Sequence, residues 1–399
     1  MGLATTVRAV NGLAARWAGV SDGGTVFSAA GVWPLLAHLA DGAEGQARAE
    51  LSEALGLDAG QAPAAARELL AAMGAMRGLE TAVGLWTRRT LELKASWEES
   101  LPADAHGVLT GDLGVDRLAL DAWTVKRTGG LIDRMPVGLT EDTQLVLASA
   151  LTLRTRWLSP FHETELETAY EPWATTPRLA LRRTSAVLDR VGVADTPGGH
   201  VTELRVLGSN ALDVHLLLGE EAMRPGQVLR AGVDMLARRY AVVRGPQLPL
   251  GSVGPGLTVE KVRCARPEPP SLEVTTVAYD MSARHDLLEL HRLFGLTAAR
   301  DTSGGHFPGI SDFPLAVESA QQSTRARFNA SGFEAAAVTA FGVAGGGFPA
   351  LRHVTTRILA DFDRPFGFLA VHRHTGLVLT AGWVTDPLPS PEWDGETGW

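Results

Sequence analysis

The sequence predicts an α+β protein in which helices come first and strands follow, and three observations carry that expectation. Its 399 residues are 45% apolar and 20% charged, the balance of a globular chain with ample core. Apolar side chains recur at helical spacing through the first eighty residues, whereas short apolar or alternating runs dominate beyond residue 160. Helices and strands are thus segregated, and no internal repeat breaks the pattern.

Taken in order, Leu3, Val7, Val10, Leu13, Ala14 and Trp17 give a first amphipathic helix. A second, over 28–39, puts Trp33, Leu36 and Leu39 on one face; a third, over 42–57, carries Leu51, Leu55 and Leu57. Pro63 opens an Ala-rich helix that runs to Met76. A short strand is expected over 82–86 and a helix with Trp123, Leu131 and Ile132 over 122–135. The run 144–153 (QLVLASALTL) is nearly all apolar, as in a strand buried on both faces. Strands follow at 212–218, 257–264 and 272–279, then a helix at 286–294. Two last strands, 366–372 and 377–384, flank the turn His374-Thr375-Gly376. From Pro387 the chain is rich in Pro, Gly and acids and is expected to fray.

The composition also excludes functions. With 36 basic and 45 acidic residues the net charge is −9, which argues against a nucleic-acid binder. Only Lys94, Lys126 and Lys261 are lysines, a bias that reads as the codon usage of a GC-rich bacterial genome. The single Cys264 excludes an internal disulfide and a Cys-cluster metal site, and reads as a small buried hydrophobe. No glycine-rich dinucleotide or phosphate loop is present, and no Gly-x-Ser-x-Gly elbow marks a nucleophile. Triads assemble from distant residues, so a Ser-His-Asp site stays open on this count. His372-Arg373-His374 reads as a solvated hairpin, and His285 and His291, with Asp286 and Glu289, as a helix surface. No catalytic residue, metal or cofactor is expected. Without a leader pattern or a run of about 20 apolar residues, the expected location is cytoplasmic, with secretion left open.

One segment stands apart. Residues 329–353 (NASGFEAAAVTAFGVAGGGFPALRH) form a long connection between strand-like stretches at 315–328 and 355–359, a length that is usually functional or disordered. At period two, Phe333, Ala335, Ala337, Thr339, Phe341 and Val343 share one face, and none is charged. Glu334, Ala336, Val338, Ala340 and Gly342 share the other. The apparent loop is written as a competent strand ending in Gly345-Gly346-Gly347; a mobile Ala/Gly-rich loop is the other reading.

These residues resemble the reactive-loop hinge of the serpins. GFEAAAVTA is similar to the hinge, and HFPGIS with PLAVESAQQSTRARFN to its approach. TQLVLASALTLRTRWLSPF resembles the family's central strand, and LDAWTVKRTGGLID the helix crossing the main sheet. VFSAAG with DGAEGQARAELSEALGL resembles the N-terminal signature, and FDRPFGFLAVHRHTGLVLTAGWVTDP the C-terminal strand pair. Six segments in the family's order make the resemblance specific over nearly the whole chain.

The resemblance implies about nine helices around three sheets, as one domain over 1–387 with a reactive loop at about 332–353 and a polar tail over 388–399. It implies suicide-substrate inhibition of a serine or cysteine protease by a monomer: the protease cleaves the loop, and the hinge inserts as a new strand. The implied hinge is Gly332, Phe333, Glu334, Ala335, Ala336, Ala337, Val338 and Thr339, and the implied reactive bond is Gly346–Gly347. Phe348, Leu351 and Arg352 are alternative cleavage positions. Ser28, Ser149 and Gln322 fall at the family's shutter and Trp157 at its breach. Several positions depart from the pattern: bulky Phe333 where a small residue is usual, Ala330 and Ser331 for acids, Gly31 for a shutter polar residue, Arg154-Thr155 for Lys-Gly, and Trp383 for Arg. They favour the alternative, a non-inhibitory serpin scaffold that binds or converts a small molecule.

Overall fold

A computed structural model describes residues 2–102, 105–130, 134–135, 137–141, 143–301, 304–333 and 353–391. Helix α1 (Leu3–Val20) buries the stripe from Val7 to Trp17 that its spacing dictates. Helix α2 (Ala29–Asp41) starts at Ser28, whose hydroxyl accepts from the Gly31 N–H, and is buried on every side up to Ala40. Helices α3 (Gly45–Leu55) and α4 (Ala62–Gly74) pack beside it. Shorter helices follow at α5 (Ala95–Glu98), α7 (Glu171–Ala174) and α9 (His291–Phe294), with longer ones at α6 (Leu113–Arg127) and α8 (Pro225–Leu236).

Three sheets complete the described residues. The main sheet runs β3 (His106–Leu109), β2 (Leu79–Arg88), β4 (Leu145–Leu153), β16 (Ser319–Phe328), β17 (Gly332–Phe333), β5 (Thr155–Arg156), with β15 (Tyr279–Asp286) along the other edge of β16. The second runs β1 (Thr25–Phe27), β20 (Leu377–Val384), β19 (Phe366–His372), β10 (Leu212–Gly219), β9 (Gly199–Val206), β8 (Val191–Thr196), β11 (Val242–Arg244). The third runs β12 (Gly251–Gly254), β13 (Leu257–Cys264), β18 (His353–Asp361), β14 (Ser271–Val277), β7 (Leu179–Ser185), β6 (His162–Glu165). The nine residues of β4 are all buried, as the apolar run predicts. One face of β4 belongs to the main core; Val146, Ala148 and Ala150 on the other pack with Trp86, Leu109 and Leu120 beneath α6.

Two helices differ from expectation. The one expected over 122–135 lies at Leu113–Arg127, because Asp112 accepts from Gly114 N and Val115 N and starts it early. Left-handed Gly129 and Gly130 then follow it. The helix expected over 286–294 forms only in part: β15, paired along β16, ends at Asp286, residues 287–290 turn, and His291–Phe294 is helical before the left-handed cap at Gly295. His285 therefore lies on a strand, not a helix surface. At the C-terminal end, Leu388 N donates to Ala278 O and Ser390 N to Pro177 O, so this part of the expected tail is tied down. Residues 392–399 lie outside the described residues.

Candidate functional site

The site is a seam in the main sheet. Strands β4 and β16 pair in parallel from Val146 opposite Ser319 to Leu151 opposite Thr324. Above that point they diverge, and the two residues of β17 fill the gap. Phe333 stands opposite Phe328 on one side and Thr155 on the other, antiparallel to both strands, with Gly332 opposite Arg156.

Residues 329–331 turn the chain from β16 into β17. Asn329 Oδ1 accepts from Ser331 N, Ser331 Oγ and Gly332 N at 3.0–3.1 Å, a side-chain-closed turn. The three turn carbonyls are each held by the segment after β5. Trp157 Nε1 donates to Asn329 O (2.9 Å), Phe161 N to Ala330 O (2.8 Å) and Trp157 N to Ser331 O (3.0 Å). A Cβ on Gly332 would sit 2.2 Å from Thr155 O, so only glycine passes here. Phe333 is 1% exposed. Its ring centroid lies 6.3 Å from that of Phe368, which stacks on Tyr279 (5.3 Å); Tyr279 stacks in turn on Phe328 (5.4 Å), and Phe328 meets Trp157 (4.8 Å). The bulky ring, where a small residue is usual, fills an aromatic column.

Lower on the seam, Gln322, Ser149 and Ser28 come together. Gln322 Oε1 accepts from Ser28 N and its Nε2 donates to Ser28 O, both at 2.8 Å, with Ser149 Oγ at 3.4 Å. The Ser28 hydroxyl donates to Leu379 O at 2.6 Å, tying the second sheet into the cluster. Gly31 gives the room: a Cβ there would lie 2.8 Å from Ser149 Oγ. His285, opposite Gln322 on β15, extends the lock. Its Nε2 donates to Val26 O (2.9 Å) and its ring lies edge-on to Trp17, centroids 5.1 Å apart. Burial lowers its pKa, an effect the Val26 bond opposes. Sequence reasoning missed His285 because it placed the residue on a helix. Three hydroxyls around the seam, Ser319 Oγ, Thr324 Oγ1 and Tyr279 Oη, are buried with no partner among the described residues. Each such group costs about 1–3 kcal/mol.

The other expected positions divide simply. Glu334, Ala335, Ala336, Ala337, Val338, Thr339, Gly346, Gly347, Phe348, Leu351 and Arg352 lie outside the described residues. Cys264 is buried at the end of β13. His372 and His374 flank the β19–β20 turn, where His372 Nδ1 bonds Thr375 Oγ1.

The family model for serpins (serine protease inhibitors) matches residues 5–173 and 270–387, more than half the chain. A putative serpin-Z6A of rice (Oryza sativa subsp. japonica) is 27% identical, covering 92% of this chain and 94% of its own. Plasminogen activator inhibitor 1 of cattle (Bos taurus) is 26% identical over 92% of this chain and 87% of its own. Among solved structures, human thyroxine-binding globulin with its ligand superposes with a TM-score of 0.72 at 16% identity, covering 97% of this chain and all of that one. With the three sheets, the nine helices among the described residues and the family match, the chain belongs to the serpin family.

Proposed function

We propose that this serpin is a suicide-substrate inhibitor of a serine protease, with cysteine proteases as the second target class, acting by insertion of residues 333–343 between β4 and β16. One observation carries the reading. Phe333 already lies opposite Phe328 and Thr155. Continuing that register down the sheet would bring Thr339 opposite both Gln322 and Ser149, which are paired with each other across the seam. The two halves of the seam are therefore in step for one new strand, with no slip in register. The core-facing set of that strand carries no charge to bury.

In this account a protease attacks the loop after Gly346, forms its acyl-enzyme, and is carried down the sheet as the strand enters. A tether ending at Gly346 is short. Cleavage at Arg352 would add six residues, roughly 20 Å of slack at about 3.3 Å each, and would release the protease undistorted. Incubation with elastase, subtilisin and trypsin in parallel tests the proposal, the expected result being an adduct that survives SDS with an elastase- or subtilisin-like enzyme. Complete turnover of the loop by all three, with no adduct, refutes it.

A second reading is a non-inhibitory serpin that binds a small molecule. An open groove of about 610 Å³ lined by His200, Glu220, Ser252, Pro255 and Arg364 supports it, and calorimetric screening of the cleaved and intact protein tests it. A bacterial source rests on the arginine-rich composition alone, the relatives named above being from rice and cattle.

A further inference from the structure

Four arginines from four separate elements meet where the edge of the second sheet abuts the third. They are Arg183 on β7, Arg190 at the end of the 3-10 turn Leu188–Arg190, Arg205 on β9 and Arg244 on β11. Two carboxylates lie among them. Glu203 is 3% exposed and both its oxygens are taken, Oε1 by His215 Nδ1 (2.7 Å) and Oε2 by Arg244 Nη1 (2.6 Å). Burial pushes its carboxyl up, but His215 and Arg244 overcome that and hold it down at about 2. The Asp189 carboxylate is shared loosely, 3.7 Å from Arg190 Nε and 3.9 Å from Arg205 Nη2, while Arg205 Nη2 donates to the Asp189 carbonyl at 2.5 Å.

Four guanidinium charges against two carboxylates leave two positive charges in excess. Burial and neighbouring positive charge act on the arginines in the same direction. Burial first, and then the neighbouring Arg190, lowers Arg183 to about 10; burial and Arg244 lower Arg205, which Glu203 and Asp189 only partly offset. The Nε–H groups of Arg183 and Arg205 are buried with no acceptor among the described residues. Arg190, Arg205 and Arg244 are nevertheless about a third to a quarter exposed, at 31%, 26% and 27%, so part of each fork reaches solvent.

We propose that this junction binds a doubly charged tetrahedral oxyanion, inorganic phosphate or sulfate or a phosphate monoester, gripped by Arg190 and Arg205 with Arg183 and Arg244 behind them. Planar forked donors match such an anion two oxygens at a time, and a partly buried site screens the attraction less than open surface does. Arg183 is also held from the seam side, donating through Nη1 to Ser159 O (2.7 Å) and lying 4.3 Å over the Phe161 ring, but anion binding at the junction does not depend on the inhibitory reading.

Titrating the full chain with sodium phosphate at pH 8 and constant ionic strength, against sodium chloride, tests the proposal by melting temperature and by heat of binding. The expected result is a saturable rise in melting temperature, with affinity falling about tenfold in Arg190→Gln and in Arg205→Gln. Arg190 makes only its loose contact with Asp189, so Arg190→Gln keeps the fold. Glucose 6-phosphate run beside the inorganic anion separates the sources: a response to inorganic phosphate alone assigns a free anion, and a response to the sugar phosphate assigns an ester. No saturable response to either, or unchanged affinity in both variants, overturns the proposal.

Discussion

Replacing Thr339 with arginine puts the insertion account under direct load. In the register set by Phe333, residue 339 would enter opposite Gln322 and Ser149, which are 1% and 0% exposed. The flanking core-side residues Leu147 and Leu151 are as dry, at 0% and 1%. Among the described residues, the polar side chains at that point are the Gln322 amide and the Ser28 and Ser149 hydroxyls, already hydrogen-bonded to each other or to backbone, and no carboxylate joins them. An uncompensated buried charge costs about 3–5 kcal/mol, a factor of several hundred or more in equilibrium. Insertion should therefore stall after Val338, about halfway to Gly346. The assay compares Thr339→Arg with Thr339→Val, a neutral control of similar size, in melting temperature after loop cleavage and in protease adduct formed. The arginine variant should be cleaved as readily yet gain little stability and trap almost no protease, while the valine variant behaves as the parent. Equal stabilisation and trapping by the arginine variant would refute the register.

Phe333→Ala should lower the melting temperature of intact and cleaved protein alike, by a loss of about 3–5 kcal/mol, because the ring occupies the same rung in both states; differential scanning calorimetry of both forms checks this, and a drop in the intact form only would contradict it. Trp157→Phe keeps most of the aromatic column but removes the Nε1 bond to Asn329 O, and should cost about 1 kcal/mol and raise hydrogen exchange of the 329–333 turn. His38 on α2 is fully buried, with neither ring nitrogen partnered among the described residues, and burial followed by the Arg67 charge lowers its pKa from 6.5 to about 4. The unfolded chain therefore binds the extra proton between pH 6.5 and 4. Stability from this residue is complete above pH 6.5 and lost by about 3 kcal/mol as pH falls through 4. His38→Leu should flatten that part of the stability profile in urea melts, and an unchanged slope would show the acid loss arises elsewhere.

Of the period-two face read from the sequence, Phe333 lies within the described residues, and the structure buries it on the core side. The segment 144–153 announced β4 differently, by a continuous apolar run that fits burial on both faces. Ser28, Ser149 and Gln322 were legible only through family resemblance, since they meet from distant parts of the chain. Phe333 could not be read correctly by itself. Its size fits either a block or a filled cavity until Phe368, Tyr279 and Phe328, contributed by three other strands, are seen to make its pocket. His285 was lost to a short apolar run that fits helix and strand equally, and pairing with β16 decided it. The early start of α6 was visible in principle, in Asp112 and Asp116 ahead of Leu120, but the expected helix was placed from Trp123 onward by Leu131 and Ile132, which lie outside the described residues.

Thermal unfolding of the chain before and after limited cleavage of its loop by subtilisin tests the central claim most directly. The account predicts a large rise in melting temperature, because the freed segment enters the seam between β4 and β16 and completes two ladders at once. A cleaved protein that melts where the intact one does would contradict it: the seam would then be closed for good, and Phe333 only the end of a strand.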